Sequence, residues 1–126
     1  MKALDIPLVD LPGSPTRGLA RAVQLLPTGI AQSTLAKQIE RERGERMPSL
    51  YLDLAAGRKH SEVEVLNGAV VRYGRETSVP TPVNLALTDT LRQLAAGTLI
   101  WDDFRGKPPA LLTRVKMARK GQFGVL

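Results

Sequence analysis

Polar side chains whose spacing could serve chemistry are concentrated between Pro48 and Pro82. Ser49 and Asp53 are four residues apart, a spacing that places a hydroxyl and a carboxylate on one face of a helix. Glu62 follows the short basic loop at 57–60 and falls in the first turn of the next predicted helix. A carboxylate in that position is favoured by the helix dipole on stability grounds alone.

The composition excludes several kinds of site. The chain has no cysteine and one histidine, His60, which excludes disulfides and thiolate chemistry and argues against a histidine-rich metal site or a Ser–His triad. The sequence also has no phosphate-binding glycine-rich loop and no pair of a nucleophile with a base. We therefore predict neither a catalytic residue nor a metal ligand in this chain.

Two helix starts flank the polar stretch. Ser61 and Glu64 have the spacing of a capping box, and Thr81 followed by Pro82 is typical of an N-cap with proline in the first helical position. The apolar residues after the capping box, with Ala69 beside them, form one predicted inward face: Val63, Leu66, Val70 and Tyr73.

The remaining pattern predicts an all-α chain of five or six helices joined by short loops. Further helices are expected to start at Pro15, Thr28, Pro48 and Pro108 and to stop at Pro27, Gly44, Gly57 and Gly97. Asn67 and Gly68 fall in mid-helix although both are poor helix formers. We expect Gly68 to mark a close helix contact rather than a ligand site.

The charge and hydropathy patterns bear on partners. The net charge of +6, from 18 Lys and Arg against 12 Asp and Glu, could suit nucleic acid or a small anion. Aromatic residues make up only 4% of the chain, and the charges are mixed in sign, so a solvated helix face is favoured over a nucleic-acid interface. No apolar run is long enough to span a membrane, and no secretory segment is visible. We expect a cytoplasmic protein.

Three blocks in the polar region resemble the C-terminal domain of the ketopantoate reductase (2-dehydropantoate 2-reductase) family. They are PSLYLDLAAGR, SEVEVLNGAVV and VPTPVN, and they occur in the family's order. The resemblance covers 48–94 strongly, and the lead-in LVDLPGSPTRGLARAVQLLP is similar to one branch of the family. It implies a helical bundle like the C-terminal domain of 6-phosphogluconate dehydrogenase.

The resemblance also implies an activity, the reduction of ketopantoate to pantoate by NADPH on the route to pantothenate. Ser49 matches the serine that hydrogen-bonds the substrate, and Glu62 matches the glutamate that lies against cofactor and substrate. Asp53 and Asn67 match family motif positions too. For these two we expect structural roles, Asp53 bracing the helices that begin near Ser49 and Ser61 and Asn67 bridging helices.

Two family features do not appear in this sequence. One is the G-x-G-x-x-G loop of the N-terminal Rossmann domain, and the other is the Lys-x-x-x-Asn helix that carries the general acid. Residues 1–126 are therefore expected to form a single helical domain, the substrate-side half of a reductase, inactive without the Rossmann domain. An exposed apolar surface and self-association, for example as a homodimer, are expected as well. Two alternatives are a stand-alone interaction or dimerisation module without catalysis and, less favoured, a basic nucleic-acid binder.

Overall fold

The computed structural model describes residues 2–10, 12–13, 15–43, 49–58 and 62–121. These residues form helices and connecting turns and contain no strand, which confirms the all-α prediction. The chain divides into two compact units, the N-terminal unit at Met1–Arg46 and the C-terminal unit at Met47–Leu126. The predicted start at Pro48, the stop at Gly44 and the capping serine, Ser61, lie outside the described residues.

The N-terminal unit contains a short 3-10 helix, Lys2–Leu4, followed by α1 (Thr16–Leu25) and α2 (Thr28–Arg43), which pack on each other. Arg17 ties the lead-in to the start of α1. Its backbone N–H donates to the Asp10 carboxylate at 2.9 Å, and its Nε donates to the Leu8 carbonyl at 2.8 Å. These bonds give the irregular segment before α1 a defined course.

The C-terminal unit contains α3 (Ser49–Ala55), α4 (Val63–Glu76), α5 (Pro82–Ala95), a 3-10 helix at Trp101–Asp103 and α6 (Pro108–Arg119). The start signals at Thr81–Pro82 and Pro108 and the stops at Gly57 and Gly97 are confirmed, and both stop glycines have positive φ. Helix α5 is central because α4 and α6 both pack on it.

The contact between α5 and α6 combines small apolar residues with an ion pair. Ala86, Val115 and Ala118 form a buried cluster, with Leu85 packed against it. Beside this cluster, Arg114 Nη2 lies 2.5 Å from Asp89 Oδ2, and the two side chains are only 17% and 15% exposed. Gln93 Nε2 also donates to Asp89 Oδ2 at 2.7 Å. The carboxylate therefore has two donors, as a mostly buried charge requires.

The contact between α4 and α5 is close because glycines lie along it. Gly68 and Gly74 are buried. A Cβ on Gly68 would lie 3.8 Å from Thr88 Cγ2, an ordinary contact, whereas a Cβ on Gly74 would lie 2.7 Å from the Val79 carbonyl oxygen. The expectation that Gly68 marks helix packing is confirmed.

The predicted inward face of α4 is wrong in part. Val63 is buried, as expected, but the residues that accompany it are Gly68, Val71 and Gly74. Three residues predicted to face inward are about half exposed, at 58%, 44% and 50%: Leu66, Val70 and Tyr73. We call these three residues the apolar face of α4. Small residues form the buried side because they allow α5 to approach closely.

Candidate functional site

Ser49 and Glu62 both lie where a helix of the C-terminal unit begins. Ser49 is the first residue of α3, and its side chain is exposed. Glu62 is the N-cap residue of α4, its side chain is exposed, and its carbonyl oxygen accepts the first helical hydrogen bond from Leu66 N–H at 2.8 Å. The predicted position of Glu62 in the first turn thus differs from the structure by one residue.

No hydrogen bond or ion pair joins the Ser49 hydroxyl or the Glu62 carboxylate to another residue in the part of the chain that the structure describes. Both groups are therefore open to a ligand. A serine hydroxyl can donate to a carboxylate or carbonyl oxygen, and an ionised glutamate can only accept hydrogen bonds. The Ser49 hydroxyl therefore suits an acidic or carbonyl oxygen of a ligand, and the Glu62 carboxylate suits ligand hydroxyl groups.

Asp53 contacts the loop after α3. Arg58 Nη1 lies 2.8 Å from Asp53 Oδ1, and the Arg58 backbone N–H donates to the Asp53 carbonyl oxygen at 3.0 Å. The Asp53 side chain is only 14% exposed, whereas that of Arg58 is 69% exposed. Asp53 therefore fixes the chain that leaves α3. The expected bracing of the helices that begin near Ser49 and Ser61 stays a prediction, since Ser61 lies outside the described residues.

Asn67 bridges helices, as predicted. Its Nδ2 donates to Asn84 Oδ1 at 2.9 Å, across the contact between α4 and α5. Both residues are half-buried, so the bond satisfies polar groups that have limited access to water. The partner, Asn84, was missed from the sequence. No role was predicted for Asn84, the third residue of α5.

An aromatic contact holds α3 against the segment after α5. The Tyr51 and Trp101 rings meet edge to face, with centroids 5.6 Å apart, and the Arg105 guanidinium lies 5.4 Å from the Trp101 ring centre. Trp101 begins the 3-10 helix that follows α5, so this contact packs that short helix against α3. Because Tyr51 is two residues after Ser49, the contact also fixes the helix that carries the candidate hydroxyl.

The described residues contain neither a metal-binding cluster nor a helix that could span a membrane. Within the described ranges, no three His, Cys, Asp or Glu side chains come close enough together to hold a metal ion. None of the described helices has the length and apolar character needed to cross a bilayer.

Comparison with known proteins gives one match. Residues 18–95, more than half of the chain, match the family model described as "Ketopantoate reductase PanE/ApbA C terminal". The matched region includes all of α2 to α5 and therefore both Ser49 and Glu62. Neither the curated proteins nor the solved structures contain a match to the chain.

Proposed function

Since this chain belongs to the family of ketopantoate reductase C-terminal domains, we propose that it is the substrate-side helical domain of an NADPH-dependent 2-dehydropantoate 2-reductase. Such an enzyme reduces ketopantoate to pantoate on the route to pantothenate. We propose that this reaction takes place in the cytoplasm. The proposal treats residues 1–126 as one functional domain. The observation that carries it is the family match over 18–95, which contains both candidate ligand-binding side chains.

We assign substrate binding to Ser49. Its hydroxyl is exposed at the start of α3, and the 2-oxo acid offers carboxylate and carbonyl oxygens that accept hydrogen bonds. The Tyr51–Trp101 contact restrains the helix from which this hydroxyl projects. A donor on a restrained helix binds its ligand with less loss of conformational entropy than one on a free loop.

We assign contact with cofactor and substrate to Glu62. Its carboxylate is exposed at the start of α4, and it would repel the carboxylate of the 2-oxo acid. It suits hydroxyl groups instead, such as those of the substrate or of the cofactor's ribose. Its negative charge does not suit the cofactor's phosphates, for which we propose a Rossmann-type partner domain.

The hydride of this reaction is supplied by NADPH when it is bound. Reduction of a ketone also needs an acid at the carbonyl oxygen, and neither Ser49 nor Glu62 is suited to that task. We therefore propose that the partner domain contributes the nicotinamide site and that a residue other than Ser49 and Glu62 supplies the acid. The helical domain alone binds one side of the substrate and does not turn it over.

The apolar face of α4 supports a protein partner. Leu66, Val70 and Tyr73 follow one another at helical spacing, and all are about half exposed. Among the described residues, the buried apolar side chains are only alanines and valines. The three side chains of the apolar face are thus available for an interface, where aromatic residues such as Tyr73 are enriched.

The same apolar face would also suit an interaction or dimerisation module without catalysis. The two functions predict different turnover and different oligomeric states when a dinucleotide-binding domain is added to the chain. A reductase half gains turnover when that domain is added, whereas a dimerisation module forms the same oligomer with or without it.

Steady-state kinetics of a reconstituted enzyme test the site. The chain is mixed with a separately expressed Rossmann domain of a ketopantoate reductase that also contains the Lys-x-x-x-Asn helix, and loss of NADPH absorbance is followed against ketopantoate concentration. Ser49→Ala is expected to raise KM for ketopantoate about tenfold, because it removes a hydrogen bond to a charged group worth ~1.5 kcal/mol. Glu62→Gln is expected to reduce kcat/KM by a similar factor.

Matched controls separate these effects from general changes in charge or helix stability. Glu76→Gln removes one exposed carboxylate at the other end of α4, and Ser33→Ala removes one exposed hydroxyl from α2. Both controls should leave the kinetics unchanged. An equal decrease of kcat/KM in a site variant and in its matched control would count against the proposed roles of Ser49 and Glu62.

A further inference from the structure

The positive charge of this chain is concentrated toward its C-terminal end. Residues 1–103 contain 12 of the 18 Lys and Arg residues and all 12 Asp and Glu residues, so their formal charges cancel. Residues 104–126 contain the other six basic residues and no acidic one, and they therefore carry the whole net charge of +6. Such an uneven distribution is typical of a chain with a surface for an anionic partner.

Two of these six basic residues already have an acidic partner. Arg114 forms the mostly buried ion pair with Asp89, and Arg105 Nε lies 3.6 Å from Asp102 Oδ1. Three others are exposed at the end of α6 and form no ion pair with any residue that the structure describes: Lys116, Arg119 and Lys120. This end of α6 therefore has an excess of positive charge.

An exposed leucine lies on the same side of α6 as these cations. Val115 and Ala118 belong to the buried cluster between α5 and α6, whereas positions 112, 116 and 119 follow one another at helical spacing on an exposed side. Leu112 is 58% exposed. The helix dipole favours cations in a last turn, but it does not account for a leucine exposed among them. We call four residues the basic side of α6: Leu112, Lys116, Arg119 and Lys120.

A cavity of about 390 Å³ adjoins the basic side of α6, and Arg119 lines both. Much of the remaining lining is apolar and comes from α5 and the turn before it: Val79, Pro80, Pro82 and Leu85. Among the described residues, none that lines the cavity is acidic or aromatic. A concave apolar surface with cations at its edge suits an anchoring side chain of a protein partner.

We propose that the basic side of α6 and the adjoining cavity bind an acidic segment of a partner protein. An apolar side chain of that segment fills the cavity, and the carboxylates beside it contact Arg119 and Lys116. The Arg119 guanidinium can bind a carboxylate through two parallel hydrogen bonds. This site is separate from the apolar face of α4 and from Ser49 and Glu62, and it does not depend on the reductase proposal.

Other anionic partners fit this surface less well. A nucleic-acid backbone offers phosphates at regular spacing but no apolar group for the cavity, and no aromatic residue lines the cavity to stack on a base. The surface of an anionic bilayer is flat on this scale, whereas the cavity is concave. Charge complementarity together with an apolar anchor therefore favours a protein segment.

Titration of the full chain with a synthetic peptide, followed by amide chemical shifts, tests the proposal. The peptide has glutamates on both sides of a central leucine. Saturable shifts are expected at residues 78–85 and 112–120. The double variant Lys116→Gln/Lys120→Gln is expected to weaken binding about tenfold, equivalent to ~1.4 kcal/mol. A peptide with alanine in place of the leucine should also bind more weakly to the wild-type chain, because it leaves the cavity unfilled.

A second double variant, Arg21→Gln/Lys37→Gln, is the matched control. It lowers the net charge by the same amount, since it removes two exposed cations from α1 and α2, and it is expected to change the Kd by less than about twofold. Circular dichroism of each variant checks that the helices are retained, which is expected because all four substituted side chains are exposed.

Three results would overturn the proposal. One is a similar loss of affinity in the two double variants, which would mean that only net charge matters. Another is the absence of saturation at millimolar peptide in the folded wild-type chain. The third is tighter binding, at the same residues, of a duplex oligonucleotide or of vesicles made of phosphatidylserine and phosphatidylcholine, which would assign this surface to a nucleic acid or to a membrane.

Discussion

Two glycines in one helix, Gly68 and Gly74, should respond in opposite ways to the same substitution. Both are buried in α4 at its contact with α5 or the following turn. A Cβ on Gly68 meets its nearest neighbours at 3.7–3.8 Å, which is ordinary van der Waals contact. Gly68→Ala should therefore gain the helix propensity of alanine, about 0.5–1 kcal/mol, without steric cost.

At Gly74 the chain folds back too closely for a Cβ. The Val79 N–H donates to the Gly74 carbonyl at 2.7 Å and the Ser78 N–H donates to the Arg75 carbonyl at 3.2 Å, the two bonds of a Schellman motif. The Val79 carbonyl oxygen and Thr81 Cγ2 would each be 2.7 Å from a Cβ on Gly74, and real Cβ contacts essentially never fall below 3.0 Å. One of these atoms belongs to the backbone and cannot rotate away.

The net effect of Gly74→Ala follows from two opposing contributions. Overpacking of this kind costs about 1–3 kcal/mol, while alanine returns up to about 1 kcal/mol of helix propensity. We therefore expect Gly74→Ala to lower the free energy of unfolding by about 1–2 kcal/mol. The two variants should shift stability in opposite directions and differ by roughly 1.5–3 kcal/mol, which corresponds to about 6–12 °C in Tm at ~4 °C per kcal/mol.

Urea and thermal unfolding, monitored by circular dichroism at 222 nm, measure the difference. The two variants serve as controls for each other, since both add one methyl group to the same helix. Equal shifts of the midpoint in both variants, or a more stable Gly74→Ala, would refute the geometry assigned to the turn between α4 and α5.

Three further predictions concern stability and association. Ser78 has a φ of +55° at the left-handed position of the same turn, so Ser78→Gly should raise the free energy of unfolding by up to ~1 kcal/mol; a lower urea midpoint would contradict this. Asp89→Ala should lower the free energy of unfolding by about 1.5–3 kcal/mol, because it removes the carboxylate of a mostly buried ion pair. Glu64→Ala removes one partner of a half-exposed ion pair and should lower it by less than about 1 kcal/mol. A larger loss of stability in Glu64→Ala than in Asp89→Ala, measured by urea unfolding, would contradict the burial of the two pairs. Val70→Lys, on the apolar face, should change the free energy of unfolding by less than about 0.5 kcal/mol. It should nevertheless weaken binding of the dinucleotide-binding domain, measured by analytical ultracentrifugation. Unchanged binding would show that the partner uses another surface.

Helix boundaries could be predicted from local chemistry. Pro82 and Pro108 occupy the first position of α5 and α6, where proline's fixed φ is favourable and its missing N–H costs nothing. Gly57 and Gly97 have positive φ just after α3 and α5, which glycine adopts without strain. Such signals depend on a few neighbouring residues, so a single sequence is enough to detect them.

The buried side of α4 could not be predicted in this way. The pattern of large apolar residues pointed to the side that contains Leu66, Val70 and Tyr73, but the contact with α5 is made through Gly68, Val71 and Gly74. Periodicity identifies an apolar side of a helix without indicating which element covers it. A close helix contact favours small residues, and these contribute little to such a pattern.

The candidate site was predicted from family resemblance rather than from the residues' own chemistry. Ser49 and Glu62 are an exposed hydroxyl and an exposed carboxylate at two helix starts, and both are common in that position for reasons of stability. Their proposed roles remain predictions.

The rate of ketopantoate-dependent NADPH oxidation tests the central claim most directly. It is measured for the chain, for a family Rossmann domain expressed together with the Lys-x-x-x-Asn helix that carries the general acid, and for their mixture. We predict no turnover by either protein alone and turnover by the mixture that rises with the concentration of the helical chain until it saturates. An inert mixture of two folded proteins, with the helical chain forming the same oligomer in the presence and absence of the Rossmann domain, would contradict the reductase assignment and favour an interaction module.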